Sequence, residues 1–107
     1  MADSRLNIPS SVTPGEPFEV RVSIRHAMET GYRMDNLGKS IARNVIRRFT
    51  CRYNGELVFA VQMSSGIAAN PYLRFFVNAR DSGELVFEWV DDGGIQGSDR
   101  AKVTVRA

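Results

Sequence analysis

Phe18-Glu19-Val20-Arg21-Val22-Ser23-Ile24-Arg25 alternates apolar and polar side chains without a break. Successive side chains of an extended chain point to opposite faces, so Phe18, Val20, Val22 and Ile24 make one apolar row and the polar residues make the other. Such a row describes an antiparallel strand with one face on a core and one in water. Pro14-Gly15-Glu16-Pro17 supplies the turn before it. Residues 6–9 read as a short edge strand, where the missing N–H of Pro9 is tolerated.

The same period of two returns downstream. Phe49, Cys51 and Tyr53 alternate with Arg48, Thr50 and Arg52, and the run stops at Asn54-Gly55. Both residues of that pair accept positive φ, as the tight turn of a two-residue hairpin requires. Leu57, Phe59, Val61 and Met63 then share one face, with Val58, Ala60 and Gln62 on the other. Three further strands are expected at residues 72–79, 84–90 and 101–106, separated by Asp81-Ser82-Gly83 and Asp91-Asp92-Gly93-Gly94. Seven short strands and no helical period predict an all-β, immunoglobulin-like sandwich of two antiparallel sheets. Trp89, beside Leu85 and Phe87, is expected in its core. Asp91 and Asp92 read as turn chemistry, and Asn70-Pro71-Tyr72 as a strand entry, because the residue before proline avoids the helical region.

A chain of 107 residues, 43% hydrophobic and 24% charged, is expected to form a single domain spanning residues 1–107. At this size about two-thirds of the unfolded surface is buried on folding, enough for a core without staples. One cysteine excludes an internal disulfide. One cysteine and one histidine fall short of the three or four ligands of a zinc site, and of the two histidines of a blue-copper centre. No metal and no cofactor are therefore expected, with a thioether copper site at Met28 and Met34 as the minor alternative.

The net charge is +2, and all but two of the 14 basic residues are arginine, the side chain suited to planar hydrogen-bonded pairs. Arg47, Arg48 and Arg52 beside Tyr53 would suit a nucleic-acid surface. Strand alternation, however, sets Arg48 and Arg52 on one face and Arg47 on the other, and acids are spread along the chain. No nucleic-acid partner is expected. No stretch approaches the roughly 20 apolar residues of a membrane span, so no membrane partner is expected either. Met1-Ala2-Asp3-Ser4-Arg5 does not lead into an apolar signal segment, which alone points to the cytoplasm.

One segment breaks the rhythm. Residues 26–44 (HAMETGYRMDNLGKSIARN) form a long connection without strand alternation, and a loop of that length in a compact domain is usually functional. It holds the single histidine. Cys51 and His26 do not read as a nucleophile and its base, because Cys51 lies mid-strand on the face expected to be buried, where a thiol behaves as a small apolar group. From the residues alone the chain is a β-sandwich with one elaborated loop.

Residues 24–33 (IRHAMETGYR) resemble the characteristic loop of the SoxZ family, the smaller half of the SoxYZ carrier of bacterial thiosulfate oxidation. Residues 42–55 (ARNVIRRFTCRYNG) are similar to the family's central strand and hairpin, residues 69–76 (ANPYLRFF) to its next strand, and residues 84–94 (ELVFEWVDDGG) to its late strand and acidic turn. The four segments lie in register from about Pro14 onward. The sequence departs at Ala27 and Ala42, where proline is expected.

The resemblance implies a non-catalytic subunit, immunoglobulin-like in fold. It would form a heterodimer with a SoxY chain whose cysteine, on a glycine-rich C-terminal tail, carries the sulfur intermediate to other Sox enzymes. Residues 102–107 (KVTVRA) hold no such cysteine, so Cys51 is not expected to be the carrier thiol. The family works in the periplasm, which implies export with a signal-bearing partner. His26, Met28, Glu29, Thr30, Gly31 and Arg33 are the first candidates for partner binding, with His26 and Arg33 as donors to anionic sulfur groups and Gly31 allowing a tight turn. Arg48 and Arg52 form a second candidate surface. The alternative is a stand-alone protein- or ligand-binding sandwich without sulfur chemistry.

Overall fold

The computed structural model describes residues 4–64, 67 and 69–106. The signal-segment reading of residues 1–3, and the last residue, 107, lie outside the described residues. Eight strands run in order: β1 (Ser4–Asn7), β2 (Ser11–Val12), β3 (Phe18–Ile24), β4 (Ile46–Tyr53), β5 (Glu56–Gln62), β6 (Tyr72–Val77), β7 (Gly83–Asp91) and β8 (Gln96–Val105). They form a sheet ordered β1-β3-β6 facing a sheet ordered β2-β8-β7-β4-β5, so the architecture is the expected all-β sandwich. Every pairing is antiparallel except β2 with β8, which is parallel. β2, two residues long and half-exposed, carries too little pattern to be read as a strand from sequence.

The core is built from the alternating rows. Phe18, Val20, Val22 and Ile24 of β3 are buried against Phe49, Cys51 and Tyr53 of β4 and Leu85, Phe87 and Trp89 of β7. Phe49 is its hub, with its ring centroid 6.1–6.4 Å from those of Phe59, Phe75, Phe87 and Trp89. Phe59 of β5 stacks on Phe75 of β6 at 4.1 Å and so ties one sheet to the other. Asn54 and Gly55 take φ of 49° and 84°, the mirror-image turn expected of that pair.

Four departures from the sequence expectation have local causes. In β5, Cys51 pairs with Phe59 but Arg52 with Leu57, so Val58 is an extra residue in a bulge. The bulge turns Leu57 to water and packs Val58 against the core, instead of leaving Leu57 in line with Phe59. In β4 the register against β7 slips between Ile46 and Arg48, which leaves Arg47 unpaired with β7. β8 begins at Gln96, ahead of the expected 101, although its first half is polar. There Gly97 lies under the Trp89 ring, where an added Cβ would sit 2.2 Å from Cε2, and Asp99 accepts a 2.7 Å hydrogen bond from the Ser4 hydroxyl of β1. A strand whose inward positions are a glycine and a paired acid has no apolar row to read.

The fourth departure is the long connection. Rather than an irregular loop, residues 29–44 fold back on themselves as an extended two-stranded arm. Glu29 and Asn44 exchange backbone hydrogen bonds of 2.9 Å each, and Met34 bridges Ser40. The tip is closed by Asp35, whose Oδ1 accepts from the amides of Leu37 and Lys39 at 2.8 and 3.0 Å. Gly38, with φ of 79°, reverses the chain there. The molecule is elongated, 60 × 25 × 19 Å, with a radius of gyration of 16.2 Å against about 13 Å for an ordinary domain of this length.

Candidate functional site

The root of the arm is a network of polar groups around the buried Asp91 and the half-buried His26. Met28 adopts φ of 52°, a conformation unfavourable for a bulky side chain, and it turns the backbone out of β3 into the arm. Three contacts hold it there. Its N–H donates to His26 Nδ1 at 2.9 Å, its buried Sδ accepts from the Ile46 amide at 3.3 Å, and the His26 amide donates to Asn70 Oδ1 at 3.0 Å. Because His26 Nδ1 accepts, Nε2 carries the ring proton and donates it to Asp91 Oδ2 at 3.1 Å. Both ring nitrogens are therefore engaged inside the protein, which makes His26 a positioning group for the arm.

Asp91 is only 5% exposed, and its Oδ1 accepts from the Ile95 amide at 2.9 Å. Burial pushes its carboxyl up, but hydrogen bonds from His26 and from the amides of Ile95 and Gly93 outweigh burial and hold it below the usual carboxylate range. A carboxylate with a depressed folded pKa contributes stability that is present above its unfolded value of about 3.9 and is lost as pH falls through the folded value. The melting temperature is therefore expected to fall in acid, below about pH 4. Asp91→Asn should be less stable at neutral pH and lose less on acidification. Parallel melting curves of the two proteins across that range would check this.

Asp92 organises the other side of the root. Its amide donates to the Val45 carbonyl at 3.0 Å, and its Oδ2 accepts from the Val45 amide at 3.2 Å. Asn44 Oδ1 accepts from the Gly93 amide at 3.1 Å. Two arginines close on the same carboxylate, Arg43 Nε at 3.3 Å from Oδ2 and Arg47 Nε at 3.6 Å from Oδ1. The expectation that Asp91 and Asp92 serve only the turn is thus revised, since they pin the arm to the sandwich from both sides.

Along the arm, Glu29 and Arg33 pair at 2.6 and 3.1 Å, and this bond from Arg33 lowers the Glu29 carboxyl. The Arg33 donors thus already have an acceptor within the arm. Thr30 Oγ1 accepts from the Tyr32 amide, and Gly31, at φ of 93°, bends the arm tightly against Arg43. Beyond that bend Tyr32, Met34 and Leu37 are 89%, 64% and 83% exposed. Large apolar side chains exposed together on a projecting element mark an interaction surface.

Arg48 and Arg52 stand on the outward face of β4, away from the tip, and among the described residues neither forms an ion pair. Cys51 is fully buried, and burial alone pushes its thiol up to about 12. It is expected to resist iodoacetamide at neutral pH in the folded chain and to react once the chain is unfolded, as mass spectrometry would show. Among the described residues no group of three or more His, Cys, Asp and Glu side chains is placed to hold a metal ion.

The family model for the sulphur oxidation protein SoxZ matches residues 6–102, nearly the whole chain. The chain belongs to the SoxZ family. No curated protein matches it in sequence. Among solved structures, the superoxide reductase (neelaredoxin) of Ignicoccus hospitalis superposes with a TM-score of 0.75 and 21% identity, covering 96% of this chain and 80% of that one. A putative superoxide reductase from Thermotoga maritima gives 0.75 at 14% identity, covering 97% and 86%. The sulfur carrier protein SoxY from Chlorobium limicola f thiosulfatophilum gives 0.69 at 11% identity, covering 100% of this chain and 82% of that one. At such identities the likeness is one of fold alone. A subunit of a Sox sulfur-oxidation system thus shares its fold with the SoxY carrier.

Sequence reasoning did not place Arg43, Arg47, Asp91 and Asp92 together at the root, nor group Tyr32, Met34 and Leu37 beyond it. The signal for the last three was present: they are large apolar residues in a segment with no core-facing period.

Proposed function

We propose that this SoxZ-family chain is the non-catalytic partner of a SoxY-like carrier and grips that chain with the arm of residues 29–44. The observation that carries this is the exposure of Tyr32, Met34 and Leu37 on an arm whose root is fixed by half-buried hydrogen bonds. A stiff element bearing unpartnered apolar groups loses little freedom when it docks, so contacts made there count almost fully toward affinity. The sealed Cys51 favours a carrier thiol supplied by the partner. The SoxY fold likeness makes two similar sandwiches the natural pairing.

In this role the chain presents the partner's cysteine-bound sulfur intermediate to other Sox enzymes during thiosulfate oxidation. It acts in the periplasm, exported with a signal-bearing partner. Co-expression with a SoxY-like chain ending in a glycine-flanked cysteine should yield a stable one-to-one complex by size-exclusion chromatography. A solitary monomer would favour a stand-alone binding module. Fractionation of cells lacking the partner should leave the chain in the cytoplasm, whereas periplasmic chain there would refute joint export.

A further inference from the structure

Beside the arm's root lies an open hollow of about 480 Å³, lined by Arg43, Arg47, Arg48, Gln62, Met63 and Val90. Its making is non-local. Strict alternation along β4 would put Arg47 on the face opposite Arg48, but the slip against β7 leaves Arg47 as the extra residue, exposed on the same hollow. The Arg47 carbonyl still accepts from the Met63 amide at 2.8 Å, so this backbone is held in place. The returning strand of the arm then brings in Arg43. Three guanidinium groups from two elements meet around one cavity.

Their charge is not balanced within the protein. Asp92 is the only acid among the described residues that pairs with Arg43 and Arg47, each through Nε, and Arg48 has no ion pair. Three cations and one carboxylate leave the hollow with an excess of two positive charges. Guanidinium groups present planar forks of N–H donors that match the oxygens of tetrahedral oxyanions. Gln62 adds an uncharged amide, and the Met63 and Val90 side chains give one wall apolar character. The arrangement suits a compact anion with an oxygen-rich end.

We propose that the hollow of Arg43, Arg47 and Arg48 binds a sulfur oxyanion, either free thiosulfate or the sulfonate end of a thiosulfonate group on a partner's thiol. The choice of sulfur rests on the carrier-subunit reading above, while the preference for a small oxyanion rests on the arginines alone. Arg43 lies both on the arm and on the hollow, so the proposed grip and the proposed anion site share a residue.

The test is a titration of the full chain with sodium thiosulfate at a constant ionic strength of about 0.15 M, where general charge screening is unchanged. Backbone and arginine side-chain resonances are followed by NMR. Saturable shifts are expected at residues 43–48, and the combined variant Arg43→Gln, Arg47→Gln, Arg48→Gln should lose at least tenfold in affinity. Arg74→Gln, on β6 of the other sheet and outside the hollow, should bind like the parent. Shifts equal to those of chloride, or undiminished binding by the triple variant, would overturn the proposal.

Peptides ending in a glycine-flanked cysteine separate the two sources. Tighter binding of the thiosulfonated peptide than of its free-thiol form identifies a group carried on a thiol, while binding of thiosulfate without that preference identifies a free ion. Thiosulfate binding by a chain that forms no complex with a SoxY-like partner would keep the anion site and remove the carrier reading. A complex whose hollow ignores thiosulfate would do the reverse.

Discussion

Tyr32→Ala combined with Leu37→Ala is expected to weaken the complex with a SoxY-like chain by roughly 100-fold or more. Burying one large apolar side chain is worth about 1.5–3 kcal/mol, and two at the low end give about 3 kcal/mol. Aromatic anchors in a desolvated contact commonly carry such energies. Both side chains are more than four-fifths exposed and touch no core, so the melting temperature of the isolated variant should match the parent. The two readouts together separate docking from folding. Calorimetry of complex formation gives the affinity, and a thermal melt gives the control. Equal affinity of variant and parent would show that the arm is not the grip.

Phe49→Ala is expected to cost about 3–5 kcal/mol of stability, the range for removing a large aromatic from a packed core. Phe49 is fully buried and meets four other rings, drawn from β5, β6 and β7. No single neighbour can move in to fill the space without pulling away from the others. For a domain of about 100 residues, each kcal/mol shifts the melting temperature by about 4–8 °C, so a drop of at least about 12 °C should follow. Phe49→Leu should lose less, since it keeps most of the volume. A loss below about 1 kcal/mol in denaturant titration would mean that the core is not organised around this ring.

The same ring explains why the arginine hollow is open to water. Phe49, Cys51 and Tyr53 occupy the inward side of β4, so Arg48 and Arg52 on the alternate positions face out, with Thr50 buried between them. What alternation cannot supply is the third cation. Arg47 joins Arg48 only because the strand carries one more residue than its neighbour β7 accommodates. A bulge is a relation between two strands, and a strand's own sequence does not reveal it. The Val58 bulge is of the same kind, and it is why Leu57 leaves the core row that its spacing promises.

The arm was legible as an exception and illegible as a structure. Residues 26–44 lack a period because Tyr32, Met34 and Leu37 answer to no core within this chain. The sequence marks the arm's candidate contacts by that silence. Its form rests on cross-strand hydrogen bonds between Glu29 and Asn44 and between Arg33 and Ile41, pairs that lie 15 and 8 residues apart.

The amino-acid sequence by itself determined the sandwich, its apolar rows, the Asn54-Gly55 turn, the burial of Cys51 and the family. Each rests on a period of two, on local turn chemistry or on segments that match in order, all of which are properties of neighbours along the chain. Tertiary structure alone decided that His26 is held between Met28 and Asp91, that Asp92 clamps the arm, and that Arg43, Arg47 and Arg48 share one hollow. Those contacts join residues up to 65 positions apart, so they exist only once the sheets have paired and the register has been set.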